Sequence, residues 1–286
     1  MKKTLLALAC ASLALAACGD PAPSVDPRDA VLDAMTAVYE AGTVHQEFEM
    51  SMSAGEESFT FTGEGDLDNE RQRATMSMDM GMLGGSMDVV LADGVIYMRA
   101  PMFEEVGTDW ISMDPARMDP AAASQFGGMG TTMDPSAYVG LFAGVVDVEA
   151  EGDDEIDGVA TTRYAGTIDL GRVLENFAKE AGDDVPAASK EQLEAALGQL
   201  EALGIDSDLP FEIWIDDEGF PRRQRVTMDL GGLVPGEGEA SFEMVVDYSA
   251  FGEPVVIQVP KRSEVTDLTG SLGGGAGTSG SSAAYG

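Results

Sequence analysis

The chain has 286 residues, 44% of them apolar, and carries 51 Asp and Glu against 16 Lys and Arg, for a formal net charge of −35. That length suits one large β-rich domain or two small ones, with enough apolar residues for a sizeable core. A surface this negative repels phosphate backbones and anionic headgroups, which excludes nucleic acid as a partner.

Lys2 and Lys3 open the chain, and an apolar run covers residues 5–17. The run is too short for a permanent membrane helix, which needs about 20 residues. A basic start, a short apolar stretch and a small-residue exit make a secretory signal peptide. The exit reads Leu15-Ala16-Ala17-Cys18-Gly19 and matches the bacterial lipobox. The expectation is removal of residues 1–17, acylation of Cys18, and a Pro-containing tether over 18–25. Two acyl chains anchor stably where one holds only marginally, at about 0.8 kcal/mol per buried methylene. The protein is thus expected to be exported and held by lipid on the outer face of the cell membrane. Cys10 leaves with the signal, so the mature domain has neither disulfide nor free thiol, and the fold depends on core burial.

Asp26-Pro27-Arg28-Asp29 is a helix start, with Asp26 as N-cap and Pro27 in the first turn. Val31, Leu32, Met35, Val38 and Tyr39 give one apolar face, and Gly42 ends the helix. The period then changes to two. Phe48, Met50 and Met52 alternate with Glu47, Glu49 and Ser51; Phe59 and Phe61 alternate with Thr60 and Thr62. Met76, Met78, Met80 and Met82 alternate with small and acidic residues. Met87, Val89 and Leu91 lead into an Asp93-Gly94 turn. These are antiparallel strands with one apolar face.

Residues 114–143, with Pro115, Pro120 and Pro135, predict short helices and loops, residues 135–142 being the best helical piece. A strand resumes at Val145, with a turn expected over residues 153–158. A helix around Val173, Leu174 and Phe177 and another from Ser189 to Gly204 follow. Phe211, Ile213 and Ile215 lead to the turn Asp217-Glu218-Gly219. Met228 lies on the return strand, Phe242 and Met244 on the next, and residues 255–259 predict the last. The domain is expected over 26–262, with a disordered Gly/Ser-rich tail over 263–286. About ten or eleven one-sided strands need a cover, and the helices are what is available. The fold class is therefore α+β: one strongly curved antiparallel half-barrel sheet, helices over its concave face, and a monomer.

Seventeen methionines are many. Three readings stand: an adaptable apolar surface for variable acyl chains, a packed core beneath the helices, or soft thioether ligands for Cu(I). On the first, the cavity is lined by the Phe, Met, Val, Leu and Ile side chains named on these strands, from Phe48 to Met244. His45 is the single histidine, and without cysteine companions it predicts no zinc site; it reads as an outward strand residue or a turn cap. Arg222, Arg223 and Arg225 are expected to pair with carboxylates. The acidic run at 153–158 lacks the spacing of a calcium loop. With one histidine and no thiol, Ser-His and Cys-His catalysis have no footing. No enzyme chemistry, metal or cofactor is expected.

Three segments resemble the LppX/LprG/LprA/LprF lipoproteins of mycobacteria and related actinobacteria. They are Asp157-Gly158-Val159-Ala160-Thr161-Thr162-Arg163-Tyr164, Ile213-Trp214-Ile215-Asp216-Asp217-Glu218-Gly219-Phe220-Pro221-Arg222-Arg223, and Tyr248-Ser249-Ala250-Phe251-Gly252-Glu253-Pro254-Val255. The resemblance extends over most of the chain to about Pro260. It implies a half-barrel like that of the lipoprotein carrier LolA, with an apolar cavity that receives acyl chains of membrane lipids or glycolipids. It also implies a membrane transporter as partner. A surface sensor or scaffold that contacts another envelope protein is the alternative.

Overall fold

The computed structural model describes residues 25–55, 57–81, 84–118, 142, 144–180, 198, 207–230 and 240–270. The expected second helix from Ser189 to Gly204, most of the 114–143 segment, Cys18 and Met82 lie outside them.

Helix α1 spans Pro27–Glu40. Asp26 caps it as expected, its side chain accepting from the Arg28 backbone N–H at 2.9 Å. Val31, Ala34, Met35 and Val38 form its buried stripe, one face at helical spacing. Tyr39 turns outward, because it falls off that stripe. At the other end Asn69 Nδ2 donates to the carbonyl oxygens of Val38 and Tyr39, at 3.3 and 3.1 Å. The side chain thereby satisfies carbonyls of the last turn from the turn after β2, Tyr39 also accepting from the Gly42 backbone N–H at 3.3 Å.

Two antiparallel meanders follow. The first is β1 (Thr43–Ala54), β2 (Glu57–Asp68), β3 (Arg73–Asp79), β4 (Ser86–Ala92), β5 (Val95–Arg99) and β6 (Trp110–Met113). The second is β7 (Val145–Ile156), β8 (Val159–Asp169), β9 (Asp208–Asp216), β10 (Pro221–Asp229) and β11 (Ala240–Ser249), with helix α2 (Leu170–Glu180) between β8 and β9. β1 pairs with β11, so the meanders join, together with β12 (Val265–Asp267), into one 12-stranded sheet, open at both ends, in the order β12-β6-β5-β4-β3-β2-β1-β11-β10-β9-β8-β7. The sheet is curved and does not close, as the sequence predicts, with one or two strands more than expected.

Strand β12 (Val265–Asp267) is the addition, and it pairs in parallel with β6. The expected tail boundary at 263 is therefore too early. β6 would otherwise be a bare edge, and a strand without a partner accepts whatever chain reaches it. The strand expected over 255–259 joins no ladder. Its neighbour β11 is already paired on both sides, and Pro254 and Pro260 lack the N–H that a new ladder requires.

The Asp93-Gly94 turn has φ 54° and 77°, the two positive values that a tight hairpin needs. The acidic run from 153 is not a turn: β7 continues to Ile156, and Asp157-Gly158 (φ 50° and 83°) make the hairpin. β7 also departs from strict alternation. Its register against β8 shifts between Val146 and Glu149 and again between Ala150 and Gly152, with Asp147 at φ 51°. Each bulge re-aims the following side chain, so residues 149–155 all lie in solvent.

Candidate functional site

The register puts one continuous apolar set on the α1 side of the sheet. Along β1, Phe48, Met50 and Met52 stand opposite Gly63, Phe61 and Phe59 of β2, and opposite Val246, Met244 and Phe242 of β11. Met76 and Met78 of β3 face Val89 and Met87 of β4, and Ala74 faces Leu91. Phe211 and Ile213 face Val226 and Gln224 across β9 and β10, with Met228 opposite Phe242. The described lining residues that lie on strands therefore share one face, whose opposite side carries Glu47, Glu49, Thr60 and Thr62; Met80 lies just past the end of β3.

That face divides into a filled part and an open part. Phe211, Ile213 and Ile215 pack with Val31, Ala34 and Met35 of α1 and with Phe142, whose ring meets Phe211 edge-on at 5.8 Å; Met228 lies against this cluster. Met76, Met87, Val89 and Leu91 pack into the wing formed with Ile96, Met98, Ile111 and Met113. Phe48 and Met244 lie against Val38, Val44, Val246 and Tyr248. These residues behave as core, as the second methionine reading predicts. Met50, Met52, Phe59, Phe61, Met78, Met80 and Phe242 belong to none of these clusters. Met52 is 44% exposed and Phe59 37%. They share the end of the sheet where β1 turns into β2 and β11 begins.

A cleft of about 600 Å³ lies at the same rim, between Ser53 and Gly55, the start of β9, and Thr227, Met228 and Ala240. Its lining is mixed, with Leu209 and Met228 beside Asp208 and Asp229. Sequence reasoning named Met228 for a cavity lining but gave no sign of this cleft, because its walls come from four strands distant in the chain.

Gly63 shapes the filled part. A Cβ there would lie 2.2 Å from Phe48 Cζ and 2.5 Å from the Ser77 carbonyl oxygen, so the Phe48 ring lies flat over the glycine. Phe48 thereby fills the space that a β2 side chain would occupy.

The other face is an ion-paired shell. Arg222 donates to buried Asp216 at 2.6 Å, Arg223 to Asp247 at 2.7 Å and Arg225 to Glu212 at 2.9 Å, as predicted for this basic cluster. Arg163 joins Glu212 at 3.0 Å. Trp214 donates its indole N–H to Asp154 at 2.8 Å and holds that carboxyl below its ordinary range. His45 occupies the outward face of β1, as expected, beside Asp66 of β2.

The class that fold and face define is an open, one-sided antiparallel sheet with an apolar surface partly covered by a helix. The profile of the LppX_LprAFG lipoprotein family matches residues 26–192, more than half of the chain, and the chain belongs to that family. It is thus a member of a family of exported, envelope-associated lipoproteins, and among the described residues no helix is long and apolar enough to cross a membrane. A Streptomyces griseus protein of 31.2 kDa, encoded between rplA and rplJ, is 29% identical over 136 residues, 47% of this chain and 39% of that protein. A Mycobacterium tuberculosis protein, named a candidate phthiocerol dimycocerosate transporter, LppX, is 31% identical over 100 residues, 35% of this chain and 32% of its own. The matched stretches thus span 32–39% of the length of these relatives. Among solved structures, LprF of Mycobacterium bovis has a TM-score of 0.47 at 19% identity, covering 85% of this chain and 99% of its own. LppX of Mycobacterium tuberculosis has 0.45 at 18% identity, covering 81% and 98%.

Proposed function

We propose that this protein is a lipid-anchored carrier that shelters an acyl chain of a membrane lipid or glycolipid on the open end of its apolar face and passes it on. The observation that carries the reading is the pair Met52 and Phe59. They are large, apolar, cross-strand partners, and more than a third exposed, on a face that elsewhere packs into core clusters. Exposed apolar area costs roughly 25 cal/mol per Å², which a bound chain recovers. Methionine suits the task because it is flexible and polarizable and fits chains of varied shape. The family and the name of the LppX relative point to the same class of cargo. Transfer of this kind makes and breaks no covalent bond, so no catalytic residue is assigned.

Acylation of Cys18 would hold the carrier at the outer face of the membrane, with residues 19–25 as tether and a membrane transporter as the source or acceptor of the cargo. The test is organic extraction of purified non-acylated protein followed by mass spectrometry, with binding of added lipid measured alongside. Acyl lipid is expected to co-purify, and Phe242→Asp to lower binding at least tenfold with an unchanged circular dichroism spectrum. Protein that carries no lipid and takes up none from vesicles would overturn the reading.

A further inference from the structure

On the outer face of the sheet, one ligand atom each of His45, Glu47 and Glu64 lies within 4.8 Å of the other two. Glu47 and Glu64 are direct cross-strand partners on β1 and β2, and His45 pairs with Asp66 one pleat along. His45 Nε2 stands 4.0 Å from Glu47 Oε1. Its other ring nitrogen, Nδ1, is 2.8 Å from Asp66 Oδ1. The Asp66 carboxylate can only accept there, so Nδ1 is the donor, and in the neutral imidazole the lone pair is on Nε2, on the side of Glu47. Metal-binding imidazoles are oriented in this way.

The charge pattern of the same row of the sheet is an independent observation. Asp247, the β11 partner of Glu47, is held by Arg223 at 2.7 Å. Asp88, two strands beyond Glu64, is held by Arg99 at 2.9 Å and by the Ser77 hydroxyl at 2.8 Å. Between these neutralised groups Glu47 and Glu64 face each other. Among the described residues no Lys or Arg nitrogen lies within 4.0 Å of either carboxylate. Like charges directly opposed across an antiparallel pair destabilise it. The row lacks one cation, at the place where an imidazole nitrogen is available. Space is present too: a groove of about 430 Å³ along Glu47, Glu64 and Asp79, and a hollow of about 220 Å³ on the His45 side, share Glu64 as a wall.

We propose that His45, Glu47 and Glu64 bind one divalent cation of borderline softness, with Zn²⁺ the best fit, and that Asp66 orients the histidine. One imidazole nitrogen with two carboxylate oxygens suits zinc, whereas calcium takes oxygen ligands throughout. Side-chain rotation about the Glu47 and Glu64 stems brings the three atoms to the roughly 2.0–2.2 Å that zinc requires, with a fourth position left to water. The ion converts the one uncompensated carboxylate pair of the row into a cross-link between β1 and β2.

The test uses purified full-length protein without a histidine tag. Because His45 is the only histidine, its imidazole proton resonances report the site alone. Zinc titration is expected to shift them, to give one ion per chain by calorimetry, and to raise the thermal midpoint. Asp66→Asn should weaken binding by about 10–100-fold. His45→Ala and Glu64→Gln should each abolish it, while Glu49→Gln, in the same groove, should leave it in place. No stoichiometric zinc, equal affinity for calcium, or equal loss in Glu49→Gln would each overturn the proposal.

Discussion

At the end of β2, Asp68 is an ionisable side chain only 4% exposed. It accepts from the Arg71 backbone N–H at 2.9 Å and from Arg71 Nη1 at 2.6 Å, and so closes the β2–β3 turn. Burial pushes its pKa up, but the Arg71 hydrogen bonds and charge outweigh that and hold it below the ordinary value. A lowered folded pKa means that the native state binds fewer protons than the unfolded chain. The stabilisation is thus fully present above the unfolded Asp value of about 3.9 and is lost as pH falls through the lower folded value. Asp154, held down by its Trp214 hydrogen bond, and Asp267, by Thr269, act in the same direction. Asp68→Ala is expected to destabilise by about 1–3 kcal/mol, because the turn N–H and the arginine lose their acceptor. Urea unfolding at pH 7 measures the loss. The same titrations from pH 5 down to pH 2 should show the gap between the two proteins narrowing. Asp68 is not singled out by the sequence alone; the partner that makes it structural is three residues away, yet only the turn geometry shows the contact.

At the scale of elements, α1 decides how much of the apolar face is core. Its stripe covers the β9–β10 part of the sheet, and Arg28 Nε donates to the Val145 carbonyl oxygen at 2.9 Å, fixing the helix start to β7. Met35 is 1% exposed. Met35→Ala should cost roughly 2–5 kcal/mol, since the helix, tied at Arg28 and Asn69, cannot collapse into the cavity left behind. Chemical denaturation checks this, and a loss below 1 kcal/mol would mean that α1 is loosely seated. The helix, its cap and most strands were readable because period 3.6 and period 2 persist over many residues. The bulges of β7 and the parallel β12 were not. A bulge is an irregularity of pairing, and β12 is three residues whose only reason for being a strand is the vacant edge of β6.

For the whole molecule, the formal charge is −35, and among the described residues of the outer face arginines engage only some of the carboxylates. The remaining acids repel one another. Raising salt from about 0.01 to about 0.1 M shortens the screening length from about 30 to about 10 Å, which relieves long-range repulsion more than it weakens the buried Arg222–Asp216 contact. The urea midpoint should therefore rise with sodium chloride; a midpoint that falls would show that the ion pairs outweigh the repulsion.

Read from the sequence alone, the lipobox, the one-sided strands, the helix with its cap and the family resemblance already specify an open antiparallel sheet with one apolar face. Those features are local, or repeat along a single strand, so the letters carry them. What tertiary structure decided was the division of that face. Phe48, Met76, Val89 and Phe211 became core, while Met52 and Phe59 stayed exposed. Identical alternation produces both outcomes, because burial depends on which helix or strand arrives over a residue and not on its own spacing. The His45, Glu47 and Glu64 cluster has the same origin: 19 residues separate His45 from Glu64, and only the β1–β2 register makes them neighbours.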